Sequence, residues 1–346
     1  MTARTVRTVL VCLLAIAAGC VNVPPQSMST DRFDYGHELA ESWKRQTLIN
    51  VVRLRYVDAP VFMDITSIIS SRSRGGRIDA GLELLESPDP SSIGVGAEGT
   101  WSNTPTVTYQ PILGDKFTKS LLRPVPPAAV FRMLESGWPV HMVLNVTVGS
   151  MNGIKNAAFA GQTADPRFGE LTDILARVRA AGALDIRVEE RPNGEAVVLL
   201  IRGDSSHEAR ADIARARDIL RLDAGSSELS VVFGSVQSHG KEIAMTTRSM
   251  LEIMLVLGNG IAVPEAHVSQ GRARPVAADL RPLIRIQSGP SAPVDTYAAA
   301  PYRGHWYWIE DTDLGSKALF SFLMILFSIA ETGQTQDGPV VTVPTR

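Results

Sequence analysis

Between residues 77 and 84 the chain alternates strictly: Ile78, Ala80, Leu82 and Leu84 are apolar, while Arg77, Asp79, Gly81 and Glu83 are charged or small. A period of two fits an extended strand, whose successive side chains lie on opposite faces, and does not fit a helix. Residues 61–69, 93–101 and 106–112 have similar character. The turn-formers between these stretches are Gly75-Gly76, Pro88-Asp89-Pro90 and Asn103 to Pro105. Together they predict a four-stranded antiparallel meander with one covered face.

Elsewhere the period changes. Over residues 36–56, Ala40, Trp43, Leu48, Val51 and Val52 fall within half of a helical circumference. Pro126-Pro127 opens a short helix to Ser136, Gly137 stops it, and 140–148 reads as a strand. A long loop is expected over 152–163. Asp165 then caps a helix with Pro166 in its first turn, and Phe168, Leu171, Leu175 and Val178 share a face. Pro192-Asn193-Gly194 joins a hairpin of 184–190 and 195–202, and a second amphipathic helix starts at Ser206. Strands over 229–235 and 242–247 precede a wholly apolar helix with a Ser249/Glu252 capping box, ending at Gly258. Strands at 283–288, 296–300 and 305–309, a helix over 316–331 and a strand at 340–343 close the chain. This mixture defines an α+β protein of antiparallel sheets and packed amphipathic helices. Two subdomains are expected, 36–158 and 159–346.

The first residues carry a different message. Arg4 and Arg7 precede an apolar run over 9–18, and Ala17, Ala18 and Gly19 stand directly before Cys20. That is the layout of a secretory signal over 1–19, and the run is too short for a permanent bilayer span. The ending resembles the lipobox of bacterial lipoproteins, with Ala17 where that family most often has Leu. The resemblance implies cleavage before Cys20, a diacylglycerol thioether on its sulfur, and acyl chains such as palmitate inserted in a membrane. Val21 in place of Asp implies sorting to the outer membrane, with the chain facing the periplasm. Residues 20–35, rich in Pro and Ser, read as a tether. The two cysteines are Cys12 and Cys20, so removal of the signal leaves no disulfide, and lipidation accounts for the single remaining thiol.

Chemistry is sparse by comparison. Gly94, Gly96 and Gly99 match a dinucleotide fingerprint, but strand-like sequence follows where a helix is required. Ser238 to Lys241 matches S-x-x-K without its companion motifs, and there is no G-x-S-x-G, H-E-x-x-H or zinc-binding Cys pair. His37, His141, His207, His239, His267 and His305 lack ligand spacing, so no metal or other cofactor is expected. Glu310, Asp311 and Asp313 precede a helix and read as caps. Arg202-Gly203-Asp204 reads as turn chemistry. With 34 basic against 36 acidic residues, nucleic acid is not an expected partner.

The candidate partner contacts are Arg210, Arg217 and Arg221 on one helix face and Trp306 and Trp308 in an aromatic strand. No catalytic residue stands out. The expected function is that of a binding or scaffold lipoprotein in an envelope complex, touching the bilayer through Cys20 and other envelope proteins or copies of itself. Two rivals differ in kind. One is an envelope hydrolase with a dispersed site, and the other is a subunit of a secretion ring or pore, with a hairpin of 93–112 joining a shared barrel.

Overall fold

The computed structural model describes residues 26–82, 93–156, 164–192, 194–275, 282–331 and 340–342. Cys20 and the stretch before it, expected to be a signal, lie outside the described residues. The chain divides into two units, Met1–Thr47 and Leu48–Arg346. Helix α1 (Gln26–Arg55) begins inside the stretch expected to be a tether. No proline follows Pro25 before the helix ends, and the lone Gly36 costs a helix only about 1 kcal/mol. In the first unit Lys44 pairs with Glu41 one turn earlier, at 2.6 Å.

The second unit is α+β. Its body is a six-stranded sheet ordered β4-β3-β8-β7-β6-β5. The strands are β3 (Val148–Met151), β4 (Ile154–Lys155), β5 (Leu184–Arg191), β6 (Gly194–Ile201), β7 (Glu228–Phe233) and β8 (Glu242–Thr247). After the short α2 (Gly114–Phe117), four helices pack over one face: α3 (Pro127–Glu135), α4 (Val140–Thr147), α5 (Pro166–Ala180) and α6 (His207–Leu220). Phe131, Leu144, Leu199 and Ile243 meet around a small apolar cavity of about 30 Å³ between the layers. Phe168, Leu171 and Val197 are likewise withdrawn from water. The expected caps are present, with Asp165 accepting from the Arg167 N–H and Ser206 from the Ala209 N–H.

A second layer carries α7 (Met250–Gly258), α8 (Glu265–Ser269), and a three-stranded antiparallel sheet β10-β11-β9. Its strands are β9 (Gln287–Gly289), β10 (Thr296–Tyr302) and β11 (His305–Glu310). Both halves of the Ser249/Glu252 capping box are formed, and Ile253, Met254 and Leu257 are buried. Helix α9 (Leu314–Glu331) packs on β11, with Phe320, Phe322 and Leu323 fully buried. Among the described residues no helix is long and apolar enough to cross a membrane.

The structure departs from expectation in four places. First, the meander is two strands, not four. Strands β1 (Met63–Leu82) and β2 (Ile93–Pro111) pair antiparallel along their whole length. Gly75 and Gly76 lie inside the ladder opposite Thr100 and Gly99, and Asn103 and Pro105 lie opposite Arg72 and Ser70. These residues bend nothing because the partner across from each is also extended, and Pro105 is tolerated because β2 is an edge strand. Second, residues 140–147 form α4. Val140, Val143, Leu144 and Thr147 are buried at helical spacing, which outweighs the β-propensity of their valines.

Third, the loop expected from Asn152 begins as a tight turn. Asn152 and Gly153 adopt φ of 44° and 80° between β3 and β4. Fourth, no subdomain boundary falls at 158. Strands β3 and β4 before it join β8 in the same sheet as β5 to β7, so one hydrophobic core spans the site of the expected division. The sheets are also mixed rather than purely antiparallel. Strands β7 and β8 run parallel, as do β1 and β12 (Val340–Thr342).

Candidate functional site

The β1–β2 ribbon is the most unusual element. At 20 and 19 residues its strands are about three times the common strand length and extend for about 65 Å. Among the described elements, the two share substantial contact only with each other and with β12, which pairs with β1 at Ser67–Ile69. Near the root Thr66 is an extra residue, a bulge between the pairs Ile65↔Tyr109 and Ser67↔Thr108.

Beyond the bulge the register assigns each residue to a face. The pairs Ile78↔Ala97, Ala80↔Val95 and Leu82↔Ile93 share a face with Ile68↔Val107 at the root, where Ile68 is buried. Between these apolar ends the same face carries Ser70↔Pro105, Arg72↔Asn103 and Arg74↔Trp101. The opposite face of the tip holds Arg77↔Glu98, Asp79↔Gly96 and Gly81↔Gly94. The outer part of the ribbon is therefore apolar on one side and polar on the other between Ile93 and Ala97 of β2, with Gly76↔Gly99 separating this tip from Arg74↔Trp101.

A second concentration of functional groups is built on the segment just before β1. Helix α1 ends with the Asp58 N–H donating to the Arg53 carbonyl (2.9 Å) and the Val57 N–H to the Leu54 carbonyl (3.1 Å). Val57 has φ 60°, the left-handed conformation that usually calls for glycine at this point of a Schellman ending. Tyr56 and Asp58 flank it. The Tyr56 hydroxyl lies 2.5 Å from the Tyr307 hydroxyl and 2.7 Å from His267 Nδ1. Burial, followed by the bond to Tyr56, pushes the Tyr307 phenol well above its ordinary pKa. Burial raises that of Tyr56 too, so both keep their protons at neutral pH. Burial and then the nearby His305, Arg272 and Arg303 hold His267 below the usual histidine value, so it is neutral at pH 7. The two bonds join Tyr307, Tyr56 and His267 in one chain, which the proton order can run along in either direction.

His305 stands edge-on to His267, with ring centroids 4.8 Å apart, and its Nδ1 is buried without a partner. Arg303 and Gly304 form the two-residue turn between β10 and β11, with φ of 47° and 78°. From that turn the Arg303 guanidinium lies 5.5 Å from the ring centres of both Tyr56 and Tyr302 and donates to Asp58 Oδ2 at 2.8 Å. The Tyr302 hydroxyl donates to the same oxygen. Arg55 donates from Nη2 to the Arg274 carbonyl at 2.7 Å, while its Nε is buried without a partner.

The residues singled out from sequence fall elsewhere or at the margin. Arg210 is exposed on α6, and Arg221 is the exposed left-handed residue that ends it, φ 55°. Arg217 donates to the Ala224 and Ser226 carbonyls, tying down the loop after α6. Trp306 and Trp308 are half-buried on the face of β11 opposite Tyr307 and Ile309, both fully buried, and the Trp308 indole N–H donates to Glu310 (2.6 Å). Asp313 caps α9 through the Ser316 N–H and pairs with Arg285, whose guanidinium brings its carboxyl down to about 2. Gly94, Gly96 and Gly99 lie in β2, and Arg202 pairs with Asp204. Among the described residues no serine bonds a histidine, and no three His, Cys, Asp or Glu side chains group as metal ligands.

Sequence reading missed Tyr56, Asp58 and Arg303; it set Tyr302, His305 and Tyr307 in the aromatic strand with Trp306 and Trp308, where they could rim a binding groove, but left His267 apart. Tyr56 lies 211 residues from His267 and 251 from Tyr307, so no local pattern joins them. The one available signal was Arg303-Gly304 between two strand-like segments, the place of a tight hairpin turn. No protein-family model, curated protein or solved structure matches the chain.

Proposed function

We propose that the chain is a lipid-anchored subunit of an oligomeric envelope ring or pore in the outer membrane. In this reading Cys20 carries the acyl anchor and the ribbon supplies two strands to a barrel shared among copies. The observation that carries it is the β1–β2 ladder, far longer than its own unit can cover, with a tip that alternates apolar and polar across matched register. A bilayer-crossing β-strand needs about 9–11 residues with this alternation, and closure into a barrel is the one way to satisfy both free edges in lipid. Trp101, at the boundary between the apolar tip and the polar middle, has the position of an interfacial aromatic. The broader role of an envelope scaffold is contained in this one, and among the described residues the hydrolase reading has no converging nucleophile and base to support it.

The test is to express the full chain with its own signal, extract it in detergent, size and image it, and record conductance in planar bilayers. Rings that conduct, with conductance abolished by Ile78→Asp combined with Val95→Asp, are expected. A detergent-solubilised monomer whose ribbon is equally open to protease with and without membranes would overturn the reading. Replacing Cys20 by Ser should release the chain from the membrane fraction.

A further inference from the structure

The cluster around Tyr56 has more cation than its carboxylate can answer. Arg303 lies 5.5 Å from the centre of the Tyr56 ring, Arg272 is tied to His267 by its backbone N–H donating to the His267 carbonyl at 2.8 Å, and Arg55 precedes Tyr56 in the chain. Arg274 lies close enough to Arg55 to disfavour its charge. The carboxylate bonded into the group is Asp58, and it is taken up by Arg303 and Tyr302. Burying charged or polar nitrogen is costly unless a partner is present, yet two nitrogens here have none, Arg55 Nε and His305 Nδ1. Left-handed backbone at Val57 and Arg303 brackets the same place, and strain of this kind persists where a function holds it. Arginine is an unusual occupant of a turn position that favours Asn, Asp or Gly, so its charge rather than its backbone preference explains its presence.

We propose that this cluster is a binding site for a phosphate group, gripped by Arg303 and Arg272 at the surface and by Arg55 and His305 beneath. Guanidinium forks match the oxygens of phosphate in pairs, and aromatic walls lower the local dielectric, which strengthens each bond. The binding displaces the Asp58 partner of Arg303 rather than adding to it. This site is independent of the ring reading, since it needs neither the ribbon nor the anchor.

The experiment is titration of the Cys20→Ser chain with inorganic phosphate, against chloride at matched ionic strength, followed by calorimetry and ³¹P NMR. A parallel arm measures co-sedimentation with vesicles of phosphatidylglycerol or of phosphatidylcholine alone. Saturable binding of phosphate is expected, weakened about tenfold or more by Arg303→Asn and by Arg272→Gln, and unchanged by Arg123→Gln at an exposed position outside the cluster. Asn suits the turn, so Arg303→Asn keeps the fold while removing the guanidinium, and an unchanged melting midpoint verifies this. Binding confined to phosphatidylglycerol vesicles and lost in the same two variants assigns a lipid headgroup as the source of the phosphate. A phosphate response no greater than that of chloride, together with no difference between the vesicles, overturns the proposal. So does binding that both variants leave unchanged.

Discussion

The body sheet and the ribbon are made of the same secondary structure under opposite conditions. Strands β3 to β8 are at most 8 residues long, rich in Val, Leu and Ile, and roofed by four helices. The ribbon is more than twice as long, carries Ser, Arg and Gly through residues 70–76, and has β12 as its companion at the root. A two-stranded ribbon in water is at best marginally stable. The body is held by its own core, whereas the ribbon, among the described residues, has little beyond its own ladder and β12.

That contrast can be broken experimentally. Phe168→Ala removes a ring that is 2% exposed beneath the helices and should cost about 3–5 kcal/mol in urea unfolding of the Cys20→Ser chain. Val95→Ala in the ribbon should cost no more than about 0.5 kcal/mol in the same assay. Comparable losses at both sites would show that the ribbon belongs to the cooperative core. Ser249→Ala removes the cap of α7, where the hydroxyl accepts from the Glu252 N–H, and should lower stability by about 1 kcal/mol. Val57→Gly relieves a β-branched residue in left-handed backbone and should raise stability by about 1 kcal/mol.

The remaining tests vary pH. His267 has a folded pKa below its free value of 6.5, so the unfolded chain binds the proton more readily. Stability is then complete above about pH 6.5 and declines below it, and His267→Gln should flatten that decline. Asp313 acts lower on the scale. Its carboxyl is depressed from 3.8 to about 2, so its contribution is present above pH 3.8 and lost as pH falls toward 2. Asp313→Asn should remove this second limb of an acid titration.

Much of the body was legible in the sequence because its signals are local. Asp165-Pro166, Ser206, Ser249 with Glu252, and Pro192-Asn193-Gly194 each act within a few residues, and each lies where expected. What failed was reasoning that depends on the partner. Gly75-Gly76 is a turn or a strand according to what lies opposite, and Thr100 and Gly99 lie opposite. The valines of α4 became helical because a groove over the sheet buries one helical stripe. The site around Tyr56 was illegible as a whole for the same reason, since its rings come from the residue after α1, from α8 and from β10 and β11.

The bulge at Thr66 has a consequence for how such a ribbon can change over generations. Each strand is a reading frame of period two, so a length change of one residue would exchange inside for outside along the rest of the strand. Thr66 absorbs one odd residue, so Ile65 and Ile68 can stand on the face shared with Tyr109 and Val107. Growth of the ribbon is therefore stepwise, two residues in each strand and about 7 Å at a time. An odd step survives only where the chain keeps a scar of this kind.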